Sequence, residues 1–317
     1  MDVSIIIVNW NTRQLLDDCL KSIKNSTANI QYEIIVIDND SSDDSVQMIK
    51  QHYPQVHLIA NNTNRGFAAA NNQGMEVSKG RYVLLQNSDT VVHHDAIEKT
   101  VNYADEYADA AVVGCRVMNS PDQVEMTCFR FPDLLSIFFS SAGLQRLFKN
   151  SRLFGRERML WWQRDTFRKV DVVSGMYMLV RKEAIDQVGM MDESFFFYYE
   201  ETDWCYRFAK SGWKALFNPE ATITHIGGGG QSSAKVRSKT FVQRQKSCMI
   251  YLKKNKGYLY ALAARATLIL AYLGRAVVWS VLCFKQKISG RQWQGHFMKQ
   301  SDSAAAVRFL LFGIEPD

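Results

Sequence analysis

Residues 81–92 read RYVLLQNSDTVV, an apolar run that gives way abruptly to Asn87, Ser88 and Asp89 before apolar residues resume. Asn, Ser and Asp side chains bond to their own backbone and favour turns, which is one reading of the break. The other is a ligand site at the carboxyl edge of a parallel sheet, where open α/β proteins bind their ligands. Which reading holds depends on whether the neighbouring segments build that edge.

They repeat the same pattern. Apolar Ile5 to Val8 leads into a segment whose Leu15, Leu16, Cys19, Leu20 and Ile23 recur at helical spacing. Ile34 to Ile37 ends at Asp38-Asn39-Asp40-Ser41-Ser42, and Asp43 and Asp44 suit the first turn of a following helix. Val56 to Ile59 leads to Asn-rich residues 61–64, then Arg65-Gly66-Phe67 and an Ala-rich stretch, and Tyr82 to Leu85 forms a fourth strand. Short apolar strands alternating with helices predict an α/β fold with a Rossmann-like, mostly parallel sheet covered on both faces. Asn9, Asp38, Asp40, Arg65 and Asp89 then gather at one edge; turn chemistry explains any one of them, and less readily all together. Further on, Ala111 to Val117 reads as a strand, Phe138 to Phe148 as a helix and Val170 to Val180 as one long strand. Trp161 and Trp162 fall between them, in a loop or short helix over the site.

With 317 residues, 47% hydrophobic and 22% charged, the chain has room for a sizeable core and lacks the composition of a disordered protein. Its charge is unevenly placed: residues 229–317 carry 15 Lys and Arg against 3 Asp and Glu, a net +12, which leaves −6 for the rest of a chain whose total is +6. The six cysteines contain no Cys-x-x-Cys pair, so neither a zinc site nor a disulfide framework is suggested, and they read as reduced packing residues. MDVSIIIVNW has no charged leader or long apolar segment and already reads as a strand, so a cytoplasmic chain is expected.

Residues 191–207, MDESFFFYYEETDWCYR, form a second acidic cluster, in which aromatic residues run into Glu200, Glu201 and Asp203. Acidic residues favour helix N-termini electrostatically. Carboxylates shielded by aromatic rings are also candidate general bases, because apolar surroundings raise a carboxyl pKa toward the working range.

Taken in order, SIIIVNWN at 4–11, VIDNDSSD at 36–43, NRGFAAANNQG at 64–74, LLQNSD at 84–89, VSGMYMLVRKEA at 173–184 and FFFYYEETDWCYR at 195–207 resemble the family 2 glycosyltransferases of GT-A fold, particularly bacterial rhamnosyltransferase-like members. The resemblance covers roughly residues 3–230. It implies a GT-A catalytic domain over 1–230 and a C-terminal helical, basic and apolar region over 231–317. The first half would hold a nucleotide-sugar donor. Asp38 is similar to the family's base- or ribose-binding aspartate, with Val8, Asn9 and Asp40 nearby and Arg65, Gly66 and Asn71 in the donor loop. Asn87-Ser88-Asp89 is similar to the Asp-x-Asp motif with Asn in the first position, leaving Asp89 as its metal-directed carboxylate. Magnesium or manganese is implied, since such ions commonly use one or two carboxylates together with substrate phosphates.

Where the family carries Glu-Asp-x-Asp, this chain has Glu200-Glu201-Thr202-Asp203. Glu201 takes the position of the catalytic Asp; Glu200 is the second candidate, and Asp203 a supporting or helix-capping residue. His225, before Gly227 to Gly230, is similar to a family His that contacts metal or diphosphate, and a glycine run can bring backbone N–H groups to phosphates. The implied activity is inverting transfer of one sugar, with L-rhamnose from dTDP-rhamnose the best guess, to a glycan or polyprenyl-linked acceptor in cell-surface polysaccharide synthesis. Two alternatives stand beside it. A processive polysaccharide synthase would usually carry Gln-x-x-Arg-Trp, and none of the seven tryptophans follows an arginine. A non-catalytic nucleotide-sugar-binding scaffold would account for the amide at Asn87.

The stretch from Tyr258 to Phe284 has Arg265 and Arg275 as its only charges. A spanning helix needs about 20 mainly apolar residues, but each arginine near a bilayer centre costs about 2.5–3.5 kcal/mol. Gly257 and Gly274 are candidate breaks that would divide it into two interfacial helices, flanked by Lys253, Lys254, Lys256, Lys285, Lys287 and Arg291. The expected placement is peripheral, on the cytoplasmic face of the inner membrane, with packing on the catalytic domain or a homodimer interface as the other use of that surface. So much aliphatic surface argues against nucleic acid as a partner.

Overall fold

In the computed structural model of the protein, Val3–Asn9 (β1) and Tyr32–Asn39 (β2) run parallel, with Asn9 beside Asp38 at their carboxyl ends. The structure describes residues 1–120, 123–226, 237–288 and 294–315. Side chains of β1 alternate between two buried faces, as a strand of period two requires. Val3, Ile5 and Ile7 join the core beneath Arg13–Ser26 (α1), Ser45–His52 (α2) and Ala96–Glu106 (α4), while Ile6 meets Phe67–Val77 (α3) on the opposite face. Each fully buried Ile contributes about 1.5–3 kcal/mol. Gly74 of α3 lies so close to the sheet that a Cβ there would stand 2.7 Å from Ile6 Cγ2.

The main sheet adds His57–Asn61 (β3), Tyr82–Asn87 (β4), Thr90–Val92 (β5), Ala110–Ser120 (β6), Gln123–Val124 (β7), Arg168–Val170 (β9), Tyr177–Arg181 (β11) and Lys214–His225 (β12). Cys128–Phe129 (β8) and Val172–Val173 (β10) pair separately. The main order is β3-β2-β1-β4-β11-β6-β12-β5, with β7 on β6 and β9 on β12. Strands β3, β2, β1 and β4 are mutually parallel, as are β6 and β12, whereas β11 runs antiparallel between β4 and β6. The connection after β1 goes to one side and β4 lies on the other, so the crevice outside their carboxyl ends is a topological switch point.

Three local expectations change. The long strand expected from Val170 to Val180 is divided into β9, β10 and β11, because the chain passes from the main sheet to the small one and back through Ser174-Gly175-Met176. A Cβ at Gly175 would stand 2.9 Å from the Phe67 ring. The helix expected from Phe138 to Phe148 is Leu134–Ala142 (α5) followed by Leu144–Leu147 (α6), divided where Gly143 turns left-handed at φ +82°. Asp43 and Asp44 precede α2 rather than forming its first turn; the Asp43 carboxylate accepts from Ser45 N at 3.2 Å and Arg13 N at 2.8 Å, serving the starts of two helices.

The chain divides into two compact units, residues 1–131 with 162–232, and residues 132–161 with 233–317. The first contains the sheet, Lys182–Val188 (α7) and Glu200–Lys210 (α8). The second is helical and draws α5 and α6 together with Arg237–Lys256 (α9), Tyr258–Ile288 (α10) and Gln294–Phe312 (α11). Gly257, at φ +93°, separates α9 from α10 as expected; Gly274 does not divide α10, whose 31 residues run through it. A lone glycine inside a helix costs only about 1 kcal/mol relative to Ala, and packing against α11 and α5 along the helix offsets it.

Candidate active site

At the carboxyl edge of β1, β2 and β4 a chain of hydrogen bonds joins residues that the sequence reading placed together. Asn9 donates to Asp38 Oδ2 at 2.8 Å and to Ser41 Oγ at 3.1 Å, and Ser41 N donates to Asp38 Oδ1 at 2.9 Å. Thr12 donates to Asn9 Oδ1 at 2.7 Å, and because its one proton is used there, the 2.8 Å contact to Ser88 has Ser88 as donor. Asn9 is fully buried and Asp38 nearly so. Asn9 thus orients the carboxylate, while Asp38 keeps a second lone pair on each oxygen for a ligand. Val8 sits between Ile37 and Asn87 in the sheet register. Asp40 is exposed at φ +69°, a conformation uncommon outside glycine and suited to a tight turn at this edge.

The Arg65-Gly66 loop is held from two sides. Asn39 donates to Asn64 Oδ1 at 3.3 Å and to Gly66 O at 3.2 Å, and Phe67 N donates to Phe196 O at 2.8 Å. Gly66 has φ +82°, and a Cβ there would stand 2.5 Å from Phe196 O, so no other residue fits. Arg65 approaches Glu193 at 3.9 Å, an exposed pair that leaves the guanidinium accessible. Asn71 is buried and donates to Phe67 O at 2.9 Å, within its own helix. Its neighbour Asn72 makes the longer tie, donating to Met191 O at 2.9 Å and to Glu193 Oε1 at 3.0 Å.

Asp89 lies in the turn between β4 and β5. Strand β5 pairs antiparallel with β12, which sets Thr90 opposite His225. His225 Nε2 then stands 3.1 Å from Asp89 Oδ2, and its Nδ1 stands 2.8 Å from Glu125 Oε2. Burial works to lower the His225 pKa, but the hydrogen bonds to Asp89 and then Glu125 outweigh it and raise the value to about 10. The pair also suits a divalent cation. An oxygen and a ring nitrogen at that separation can ligate one ion, and Glu125 on Nδ1 selects the tautomer that gives Nε2 its lone pair. Among the described residues no group of three or more His, Cys, Asp or Glu is placed to hold a metal. Two protein donors therefore leave the remaining positions to phosphate oxygens and water, the usual state of affairs for magnesium. Asn87 would bring an amide to this edge where a second carboxylate is otherwise expected. Residues 227–230, the glycine run, lie outside the described residues.

Helix α8 begins directly after Tyr198 and Tyr199, both left-handed at φ +68° and +69°. Such conformations cost about 1–3 kcal/mol each and persist where surrounding structure enforces them. They deliver Glu200, Glu201 and Asp203 into the first turn, where the helix dipole favours negative charge. Glu200 is 3% exposed, and its Oε2 has no hydrogen-bond partner among the described residues. Burial, and then the charge of Glu201, hold its carboxyl well above the usual range. Of two adjacent carboxyls, the one that burial disfavours as an anion is the poorer base, which leaves Glu201 as the acid–base candidate. Asp203 is fully buried and accepts from Arg207 Nε at 2.9 Å, and Arg207 donates onward to Val188 O at 3.0 Å and Met190 O at 2.6 Å. It therefore ties the start of α8 to the segment before it.

Three participants escaped the sequence reading. Thr12 had a local signal, a hydroxyl immediately before a helix. Asn39 lay inside a stretch already read as functional. Glu125, at a separation of 100 residues from His225, had none. A depression bounded by Asp17, Lys21, Lys24, Asn25, His52 and Tyr53 is formed by the far part of α1 and the end of α2 and shares no residue with the site.

Residues 4–189 match the family model described as Glycosyl transferase family 2. The N-acetylglucosaminyl-diphospho-decaprenol L-rhamnosyltransferase of Mycobacterium tuberculosis (strain ATCC 25618 / H37Rv) is 25% identical over 240 residues, 70% of this chain and 75% of that protein. The low-salt glycan biosynthesis hexosyltransferase Agl10 of Haloferax volcanii is 28% identical over 214 residues, 65% of this chain and 61% of its own length. The solved structure of the mannosyltransferase PcManGT from Pyrobaculum calidifontis, in complex with GDP-Man and Mn2+, aligns over 99% of this chain and 88% of its own with a TM-score of 0.57 at 16% identity, a likeness of fold that identifies the sheet as GT-A. A family match that spans more than half of the chain, on a sheet whose switch point assembles buried carboxylates, makes the protein a member of glycosyl transferase family 2 and a glycosyltransferase.

Proposed function

We propose that the protein transfers a single sugar, with inversion at the anomeric carbon, from a nucleotide-sugar to a hydroxyl of a glycan or polyprenyl-linked saccharide in cell-surface polysaccharide synthesis. L-rhamnose from dTDP-rhamnose is the donor we favour. The observation that carries this reading is the Asp89–His225 pair, a carboxylate oxygen and an imidazole nitrogen 3.1 Å apart at a strand end of the switch-point edge. The rhamnosyltransferase relative supports the choice of sugar and of a lipid-linked acceptor.

In this mechanism Asp38, aligned by Asn9 and Ser41, accepts hydrogen bonds from the base or ribose of the donor. Arg65 and the Gly66 backbone lie against the diphosphate. Glu201 takes the proton of the acceptor hydroxyl as its oxygen bonds to the anomeric carbon and the bond from that carbon to the diphosphate oxygen breaks. Glu200, whose carboxyl burial holds well above the usual range, resists ionising beside Glu201. A magnesium or manganese ion bound at Asp89 and His225 would neutralise charge developing on the departing nucleoside diphosphate. One displacement of this kind inverts configuration.

The test is release of nucleoside diphosphate by the purified protein with dTDP-, UDP- and GDP-sugars, each with and without magnesium or manganese and with a saccharide acceptor. Acceptor-dependent release with dTDP-rhamnose is the expected result. Binding of donors with no turnover for any of them would favour a scaffold, and products extended by many residues would favour a processive synthase.

A further inference from the structure

The long helix α10 turns its apolar side outward. Leu259, Leu262, Leu270, Leu273, Val277 and Val281 recur at helical spacing on one side and are all exposed, Leu259 at 79% and Leu270 at 69%. The opposite side, with Ala261, Ala264, Leu268 and Ala271, is buried against α5, α9 and α11. The residues from Tyr258 to Leu282 are long and apolar enough to cross a membrane by length and composition, and 28% of that stretch is buried within the chain. The two arginines explain why the helix should not cross. Arg265 donates from Nε to Leu310 O and from Nη2 to Leu311 O at 3.4 Å, and Arg275 donates to Ser141 O at 3.0 Å. Each guanidinium thus meets carbonyls in the last turn of a neighbouring helix, where cations are favoured. Both guanidinium groups turn aside to these carbonyls, Arg275 half-buried and Arg265 still exposed, and the stripe itself is free of charge.

Charge identifies the occupant. The 81 residues from Ala221 to Ser301 contain no Asp or Glu and 14 Lys and Arg. Lys253, Lys254 and Lys256 are exposed at the end of α9, immediately before the stripe begins. A second copy laid on this face would bring another acid-free basic segment against the first. Nucleic acid would meet a mainly aliphatic stripe that carries no charge, with exposed rings only at its ends, Tyr258 and Phe284. An anionic lipid surface satisfies both features, headgroups pairing with the lysines while the stripe enters the acyl boundary. We propose that α10 docks in the plane of an anionic bilayer through this outward face. The proposal does not depend on which sugar is transferred.

The experiment is co-sedimentation of the full chain with vesicles of phosphatidylcholine alone and of phosphatidylcholine with phosphatidylglycerol, at low and high salt. The expected result is binding to the anionic vesicles only, weakened by salt. The triple variant Leu262→Ser, Leu270→Ser, Val277→Ser should bind them about tenfold or more weakly, since interfacial affinity scales with the apolar area inserted. Its circular dichroism and its transfer to a soluble acceptor should be unchanged. A second variant with Lys253, Lys254 and Lys256 changed to Gln should lose the preference for anionic lipid. Any of four results overturns the proposal: no vesicle binding, equal binding to both compositions, triple-variant binding equal to that of the parent, or resistance to carbonate extraction, which would mark a spanning helix. A dimer that the triple variant converts to monomer, without vesicle binding, would assign the face to a second copy.

Discussion

Asp89, His225 and Glu125 form a sequence of contacts in which each member fixes the next, and this makes separable predictions at the level of single side chains. Glu125 holds Nδ1 of the imidazole, the ring nitrogen away from Asp89. Removing such a partner typically weakens metal binding about 10–100-fold, so Glu125→Gln should weaken manganese binding in the presence of nucleoside diphosphate by that amount, measured by calorimetry. Asp89→Ala should remove that binding altogether. Glu201→Gln should lower kcat by about 10²–10⁴-fold with donor affinity preserved; near-normal turnover in a folded variant would exclude Glu201 as the base. Glu200 makes a prediction about pH. Its folded-state pKa is raised, so the folded protein binds this proton more tightly than the unfolded chain does. Stability is therefore favoured below the ordinary glutamate range and falls as pH rises out of it. Glu200→Gln should raise Tm by about 2 °C or more at pH 8 and have little effect near pH 4, which thermal unfolding across that range would check. Of these residues Asp89, Glu200, Glu201 and His225 stand in recognisable motifs. Glu125 was illegible because its partner is reached only by strand pairing.

Among elements, the strands were the most readable, since β1 to β4 needed only short apolar runs ended by polar residues. The segments that departed from expectation are those where a long apolar run meets more than one neighbour. Residues 170–180 look continuous in sequence, yet they serve two sheets and break at Gly175 under the Phe67 ring. The donor loop is the element most exposed to a single change. Gly66 combines a left-handed φ with a backbone oxygen 2.5 Å from where a Cβ would lie. Gly66→Ala should cost about 1–3 kcal/mol for the conformation alone, with a further cost from displacing Phe196. Urea unfolding should show that loss, and KM for the donor should rise more than kcat falls if the loop positions the diphosphate.

For the whole molecule, the helical unit is assembled from two separated stretches, residues 132–161 and 233–317. Helix α5 begins with an Asp133 capping box and buries Ile137, and both Leu134 N and Ser141 O are engaged by α10, through Tyr260 and Arg275. A chain ended at residue 230 would keep α5 and α6 but lose α9, α10 and α11, exposing the face of α5 that they cover. Such a truncation should give markedly less soluble protein than the full chain, as judged from the soluble fraction after expression. Equal yields would mean that α5 is stable without its partners. The basic charge of residues 221–301 was legible at once, because net charge is a sum over residues. The role of the two arginines was not: in sequence they read as a cost to an apolar helix, and only their carbonyl partners in α11 and α5 show why they are there.

By itself the sequence determined the α/β alternation, the polar strand ends at Asn9, Asp38 and Asp89, the acidic start of α8 and the division of charge along the chain. These are local properties: backbone pairing, side-chain periodicity and turn chemistry act over a few residues, so a linear reading captures them. Tertiary structure alone decided that Asn9 turns to Asp38, that Asp203 is tied to Arg207, that Glu125 orients His225 and that the apolar side of α10 faces outward. Each of those outcomes depends on which atoms fill the space around a side chain, and that space is bounded by residues brought together only when the sheet and the helices pack.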